Sequence, residues 1–400
     1  MRKQIREYAK KIRPEVTEWF HYLHTHPELG FCEENTAAFA ENILKTHTDM
    51  EIRRIGKTGI AAVMRTGAPG PVLAFRADMD ALPIQENPDH SPCSVNPGVM
   101  HACGHDGHTA TLLGAAVILN QMRDELGGEI RLIFQPAEEV QPGGAKMIAE
   151  SNILEGVDRI FGLHYSIDEE VGFFSVRPGA NFAANYKFDI RLTGKEGHAA
   201  FPHLAQDMIL AGAELTCMLN RIVSRKIDPM SSALLSVTQI HGGTTYNSLP
   251  EEIHIGGTLR FHDEKCRDIL IENMENTVKC IGEMYEADTE IAVEEGCGPL
   301  CNEAGTEKAV EEILSRHFGR EHILDHPPVM GCEDFQEYLK KRKGCYFRVG
   351  ARYTEEDGTV YPTHNSGFRL NEEALVYGVE SIVSILTEMP QYLKKAKRKE

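Results

Sequence analysis

The hydrophobic pattern changes period twice along the chain, and this double change restricts the fold more than any other feature. Ile5, Ala9, Ile12, Val16, Phe20 and Leu23 recur three and four apart, which predicts a first helix ended by Pro27 and Gly30. Strand-like runs follow at Ile60–Arg65, Val72–Ala77, Ile130–Phe134 and Arg159–His164, with helical patterns at Thr109–Leu126 and Ala145–Glu150 among them. Helices alternating with apolar strands imply an α/β layer structure. After about Ala184 the order becomes strand Tyr186–Leu192, helix Leu204–Ile222, strands Leu234–Ile240 and Ile253–Phe261, helix Cys266–Met284 and strand Thr289–Val293. This is the β-α-β-β-α-β order of a ferredoxin-like unit. Helix and strand signals resume at Lys308, and the basic tail Lys394–Glu400 reads as a frayed helix end. The expected fold class is α/β with two domains. The first domain comes in two pieces, residues 1–183 and 297–400, and an α+β domain, residues 184–296, is inserted between them. Insertions of this kind succeed at surface loops.

Bulk properties narrow the function classes. Four hundred residues exceed what one core usually holds, which agrees with two domains. Forty-two basic against sixty acidic residues leave a net charge of −18, which argues against a nucleic-acid or anionic-membrane partner. The longest apolar run, near Leu112–Leu119, is too short to span a bilayer, and Met1–Lys11 lacks the apolar centre of a signal peptide. The ten cysteines are scattered, so reduced thiols are the default. A cytoplasmic location is expected.

Four segments carry chemistry. The densest is His101-Ala-Cys-Gly-His-Asp-Gly-His108, where Cys103 and His105 are metal-ligand types that an extended turn can aim at one ion. Three histidines, a cysteine and an aspartate within eight residues favour a metal site over a polar surface loop. Gln135-Pro-Ala-Glu-Glu139 follows a strand, where ligands and catalytic groups collect in open α/β sheets. One carboxylate there can bind metal while its neighbour acts as general base. Gly162-Leu-His164 again ends a strand, and Tyr361-Pro-Thr-His-Asn-Ser-Gly-Phe368 lies near the C-terminus. Alone, each of the last two reads as an edge residue or a turn.

Together these segments resemble the M20 metallopeptidase family, specifically its aminoacylase-like branch of hippurate, auxin-conjugate and aminobenzoyl-glutamate hydrolases. The resemblance runs in order from His26-Pro-Glu-Leu-Gly30 through Arg76-Ala-Asp-Met-Asp-Ala-Leu-Pro83, Gly197-His-Ala199 and Glu333-Asp-Phe335 to the His364 segment. It implies a hydrolase-like catalytic domain with an inserted lid and dimerisation domain. It also implies two divalent metal ions (zinc, manganese, nickel or cobalt) held by Cys103, His105, Glu139, His164 and His364, with Glu138 as general base. Where the wider family has a His-x-Asp motif, this chain reads Asp78-Met-Asp80, so Asp80 is expected to orient a ligand histidine from behind. Asp78 reads as a strand-end cap. By the same resemblance His198 stabilises an oxyanion, and Asn247 and Arg260 hold a substrate carboxylate. The lid is expected to pair two subunits, with His198 reaching the partner's site. Cys332 stands where relatives often carry serine, a thiol whose oxidation could tune activity. Glu333 and Asp334 read either as support for the site or as acids at a helix start.

The implied activity is cleavage of the amide bond of small N-acyl amino acids by a water molecule that two metal ions activate. A dipeptidase or carboxypeptidase uses the same chemistry, because a peptide is also an acylated amino acid. A catalytically silent metal-binding scaffold is the reading from another class, and Glu138 beside Glu139 argues against it, since a structural metal needs no neighbouring base.

Overall fold

The apolar runs pair into two main sheets, one in each of two units, in a computed structural model of the protein that describes residues 1–396. One unit comprises Met1–Gly179, Cys301–Pro327 and the chain from Glu337 onward, and the other comprises Ala180–Leu300 and Pro328–Gln336. The segment Pro328–Gln336, assigned to the first domain from sequence, therefore packs with the second unit.

In the first unit the sheet order is Glu51–Ile55, Gly59–Arg65, Glu129–Gln135, Val72–Asp78, Arg159–Ser166, Gly344–Gly350, Phe174–Ser175 and Ile323–Leu324. The four central strands run parallel, from Glu129–Gln135 to Gly344–Gly350. Their residues are almost all buried, as expected where helices cover a parallel sheet. Parallel pairing puts the carboxyl ends of these strands along one edge, with Asp78 in register with Gln135. The motif residues Asp80, Glu138, Glu139 and His164 sit at or just beyond those ends.

Helix His105–Gln121 packs against Arg2–Thr25 and Ala374–Ala396. It is buried on nearly every side, which suits its apolar composition from Ala110 to Leu119. At Gly114 a methyl group would stand 2.6 Å from Val16 Cγ2 and 3.0 Å from Val379 Cγ2, so the missing side chain lets three helices close together. This helix starts four residues before the sequence pattern suggested. Its first turn buries polar His105, Asp106 and His108, which carry no apolar periodicity. Helix Glu34–His47 and strand Glu51–Ile55 were not anticipated. The buried face of that helix is mostly Ala37, Ala40 and Thr36, too small and too mixed to register as a hydrophobic stripe.

The second unit is an antiparallel four-stranded sheet ordered Ala233–Gly242, Glu252–Phe261, Ala184–Thr193 and Asp288–Cys297. In chain order this is strand 2-3-1-4, the ferredoxin-like arrangement. Helices Met208–Lys226 and Glu264–Tyr285 lie on one face, where Tyr186, Phe188, Ile190 and Leu192 are buried. Asp207 starts the first of these helices by accepting the Leu210 N–H at 3.0 Å, four residues later than the pattern suggested. The alternate residues of strand Ala184–Thr193, including Lys187, Asp189 and Arg191, stay exposed on the other face. Among the described residues no helix is long and apolar enough to cross a membrane. Of the basic tail, Lys394–Ala396 close the last helix, and residues 397–400 lie outside the described residues.

Candidate active site

The first unit gathers its metal-type donors at the sheet edge. The donor atoms of Cys103, His105 and His164 lie within 4.8 Å of one another. The same holds for Cys103, Glu139 and His364, and for His105, Glu138 and Glu139. Cys103 Sγ is 3.4 Å from His164 Nε2, and His364 Nε2 is 3.1 Å from Glu139 Oε1. His105 Nε2 is 4.0 Å from both Glu138 Oε2 and Glu139 Oε1. Thus all five sequence-expected ligands and the expected base meet in one place.

Two features fit this set to cations. His105 Nε2 is buried without an aligned hydrogen-bond partner, a costly arrangement for an imidazole nitrogen unless a cation completes it. Two of the expected ligand histidines, His105 and His164, also spend their other nitrogen on the main chain. His105 Nδ1 lies 2.9 Å from the Asp80 carbonyl, and His164 Nδ1 lies 2.5 Å from that of Tyr165. Donation from Nδ1 fixes the tautomer that leaves Nε2 as a lone-pair donor, a usual arrangement behind metal-binding imidazoles. Sulfur, imidazole and carboxylate together suit a borderline transition metal rather than calcium or magnesium.

The backbone is bent to present these groups. His364 has φ 62° and Ala137 φ 54°, both left-handed values that only local bonding sustains in residues with side chains. The His364 N–H donates to the Ala102 carbonyl at 2.7 Å, tying the C-terminal segment to the Cys103 turn. The Ala137 N–H donates to Glu33 Oε1 at 2.8 Å, and Phe31, at φ 63°, donates to the same oxygen at 3.0 Å. Asp80 then takes the next two amides, Glu138 N–H on Oδ1 and Glu139 N–H on Oδ2, each at 2.9 Å. The orienting role expected of the Asp80 carboxylate toward a histidine is therefore divided. Its carbonyl meets the His105 ring most closely, and its carboxylate grips the main chain of the glutamate pair.

Asp78 is a buried partner rather than a cap. Arg76 Nη1 donates to its Oδ2 at 2.5 Å, and His108 Nδ1 is 2.5 Å from Oδ1. Against burial, the charges of His105, Arg76 and His108 hold its carboxyl well below the usual carboxylate range. His108 Nε2 accepts the Tyr165 N–H at 3.0 Å, so both its ring nitrogens are engaged behind the site. Burial raises the Cys103 thiol, and the Glu139 charge adds to that. Contacts with Cys103 and then Glu139 raise His364 to about 10. Burial, then neighbouring His108, lowers His164.

Two supporting acids and a histidine escaped the sequence reading. Glu33 is fully buried, and burial raises its pKa although it accepts from Thr58 as well. It lies three residues beyond the His26–Gly30 motif, and an acid in that tight turn was the available signal. His24 on the first helix bridges Asp106 at 2.7 Å and Glu86 at 2.9 Å, and Glu86 also meets His90 at 2.9 Å. Its position on the apolar face of the first helix, one residue after Leu23, was the clue there.

The expected substrate-facing residues belong to the second unit, where they fall in two places. His198 pairs with Ser248 in a two-stranded ribbon, and the Asn247 carbonyl accepts the Ala199 N–H at 3.0 Å. His198 and Asn247 are exposed neighbours. Arg260 is elsewhere, bonded to the Asn185 side chain and to Thr258 Oγ1 at 2.9 Å. Glu333 accepts the Phe335 N–H at 2.9 Å in the turn before helix Gln336–Lys341.

A parallel sheet edge that gathers thiol, imidazole and paired carboxylates fits the donor set of a metal-dependent hydrolase. Residues 74–388 match the model for peptidase family M20/M25/M40, and the chain belongs to that family. It is 44% identical over 301 residues to an N-acyl-L-amino acid amidohydrolase of Geobacillus stearothermophilus, covering 75% of this chain and 81% of that one. It is 37% identical over 378 residues to thermostable carboxypeptidase 1 of Saccharolobus solfataricus, covering 93% and 95%. Its fold matches the YXEP protein of Bacillus subtilis, described as a dinuclear metal-binding peptidase of the M20 family, with a TM-score of 0.84, 32% identity and coverage of 96% and 99%. The chain is accordingly a metal-dependent hydrolase of linear amides, which sets aside the silent-scaffold reading.

The His24 cluster gives a pH-dependent stability with a defined sign. Against burial, bonds to Asp106 and Glu86 raise His24 to about 10 from 6.5, so its contribution is full below pH 6.5 and fades as pH rises toward 10. Against burial, bonds to His24 lower Glu86 to about 2 from 4.5, so its contribution is present above pH 4.5 and fades as pH falls toward 2. We expect His24→Gln to lose about 3 kcal/mol of unfolding free energy between pH 5 and 6, the scale of breaking a buried ion pair. In denaturant titrations the gap from wild type should narrow toward pH 9 and toward pH 3. A gap that is constant with pH would contradict this role for His24.

Proposed function

We propose that the chain hydrolyses N-acyl amino acids in the cytoplasm, with two divalent ions held by Cys103, His105, Glu139, His164 and His364. The observation that carries this reading is the convergence of those five donors, with His105 Nε2 buried among them without an aligned hydrogen-bond partner. Amidohydrolase and deacetylase relatives support the substrate class. Bound there, the ions would polarise the amide carbonyl and make a water molecule more acidic. Zinc, manganese, nickel and cobalt all suit the donor set.

Glu138 does the proton work. It takes the proton of the attacking water and delivers it to the leaving nitrogen, since an amide anion is too poor a leaving group to depart unprotonated. Its neighbour Glu139 has one oxygen turned toward His364. Asp80 holds both amides, so adjacent residues keep different tasks. A carboxypeptidase or dipeptidase reading is favoured by the carboxypeptidase relatives and needs only a different group on the acyl side.

The second unit supports a homodimer with catalytic exchange between subunits. Arg260 pairs with Asn185 at one end of strand Ala184–Thr193, whereas the His198 ribbon follows the other end. Eight residues of strand separate those ends by about 26 Å. A small N-acyl amino acid is shorter than that span, which favours a site in which Arg260, as carboxylate clamp, and His198 with Asn247, as polar contacts, come from different copies. Strand Ala233–Gly242 is an open edge of the sheet, and Ile240, Phe201, Leu204 and Tyr246 are exposed apolar residues of the same unit.

Two outcomes test this reading. Glu138→Gln is expected to keep its metal by mass spectrometric analysis and lose ~10²–10⁴-fold in kcat on N-acetyl-methionine or hippurate, whereas Glu139→Gln loses metal. Glu138→Gln retaining most of its turnover would overturn the assignment of the base. Mixing inactive Glu138→Ala and His198→Ala subunits should restore part of the activity in heterodimers. No recovery after proven subunit exchange would contradict the contribution across subunits.

A further inference from the structure

A row of reactive groups crosses one end of the second unit's sheet. Strand pairing sets Asn185 opposite Arg260 on one side and opposite Cys297 on the other. A bulge between Glu295 and Cys297 re-aims the cysteine at this point. Cys332 lies over the row, with Asn185 Nδ2 donating to its sulfur at 3.8 Å and the Cys297 thiol donating to the same atom. Its segment is pinned to the unit, because the Ala183 N–H donates to the Gly331 carbonyl at 2.9 Å and the Val329 N–H to the Asn181 carbonyl at 3.0 Å. The two thiols are therefore neighbours held by the fold. Cys297 is buried, and Cys332 is partly exposed.

We propose that Cys332 and Cys297 form a reversible oxidation site that a hydroperoxide converts to a disulfide. In the first step the Cys332 thiolate attacks one peroxide oxygen, the O–O bond breaks, and the leaving oxygen takes a proton to become water or an alcohol. Cys332 is then a sulfenic acid. In the second step Cys297 attacks the Cys332 sulfur, the S–S bond forms, and the S–O bond breaks. The departing hydroxide takes the Cys297 proton and leaves as water. Two thiols lose two electrons in total and the peroxide gains them.

The pair divides the labour as such sites require. The outer sulfur meets the oxidant, and the inner one resolves the sulfenic acid before it oxidises further. The hydrogen bond from Cys297, and then the Arg260 charge, outweigh burial and lower the Cys332 thiol to about 7, so much of it is the nucleophilic thiolate at neutral pH. The reduced thiolate also places a negative charge beside Arg260, which oxidation removes. If Arg260 holds the substrate carboxylate, oxidation lowers KM, a consequence that rests on the function proposed above, whereas the disulfide itself does not.

The test uses the full-length wild-type protein. After brief exposure to hydrogen peroxide and alkylation of remaining thiols, peptide mass mapping should show a Cys297–Cys332 disulfide, reversed by dithiothreitol. Cys217 and Cys280, exposed on helices, should stay alkylatable. Cys297→Ser should instead leave Cys332 as a sulfenic acid that dimedone traps. Cys332 should react with iodoacetamide at pH 7 about tenfold faster than Cys217 or Cys280. Free Cys297 and Cys332 after the exposed cysteines have begun to oxidise would overturn the site. A disulfide that forms without any change in KM would leave the site standing and remove Arg260 from substrate binding.

Discussion

The Asp80 carboxylate accepts one amide on each oxygen, and these two bonds set the geometry of the whole site. They join the end of one parallel strand to the turn that leaves the next, where Glu138 and Glu139 diverge. The Asp80 carbonyl, on the other side, meets the ring of His105. A charged acceptor strengthens each amide bond relative to a neutral one. Gripping the main chain rather than side chains leaves both glutamate carboxylates free for the separate tasks proposed for them. A second carboxylate, Glu33, works one residue upstream and holds Ala137 in a left-handed conformation that nothing else in its sequence favours.

These acids are buried, and burial penalises an ionised carboxylate unless hydrogen bonds or cations offset it. The molecule meets that demand with linked groups rather than isolated pairs. Tyr338 and Arg76 both donate to Gln135 Oε1, Arg76 also pairs with Asp78, and Asp78 pairs with His108, whose far nitrogen accepts a backbone amide. His24 does the same for Asp106 and Glu86. A donor turn resting on such links is over-determined, so the proposed ligands would need little reorganisation to take up a cation.

Much of this was legible in the sequence. The change to strand-helix-strand-strand-helix-strand order marked the ferredoxin-like unit because strand Ala184–Thr193 and helices Met208–Lys226 and Glu264–Tyr285 bury regular apolar faces. Strands Val72–Asp78, Glu129–Gln135 and Arg159–Ser166 were legible because parallel strands are apolar on both sides. Donor density brought Cys103 and His105 to notice, strand ends brought Glu138, Glu139 and His164, and His364 entered only through the family resemblance; the fold assembles all six. Helix Glu34–His47 was hidden because alanine and threonine make most of its buried face, with Ile43 and Leu44 only in its last turn and a half. The early start of helix His105–Gln121 was hidden because polar partners, not apolar ones, bury its first turn. Glu33 and His24 act through contacts with residues roughly sixty to a hundred positions away, which no local pattern encodes. The two separate locations of His198 and Arg260 likewise required the strand register.

The central claim is that this donor set binds a pair of cations beside a non-ligand base. Anomalous diffraction at the metal edge, from crystals of metal-loaded protein, tests it most directly. Two peaks are expected per subunit, shared among Cys103, His105, Glu139, His164 and His364, with Glu138 coordinating neither. A single peak, a peak at Asp78 and His108, or Glu138 in place of Glu139 as a ligand would contradict it.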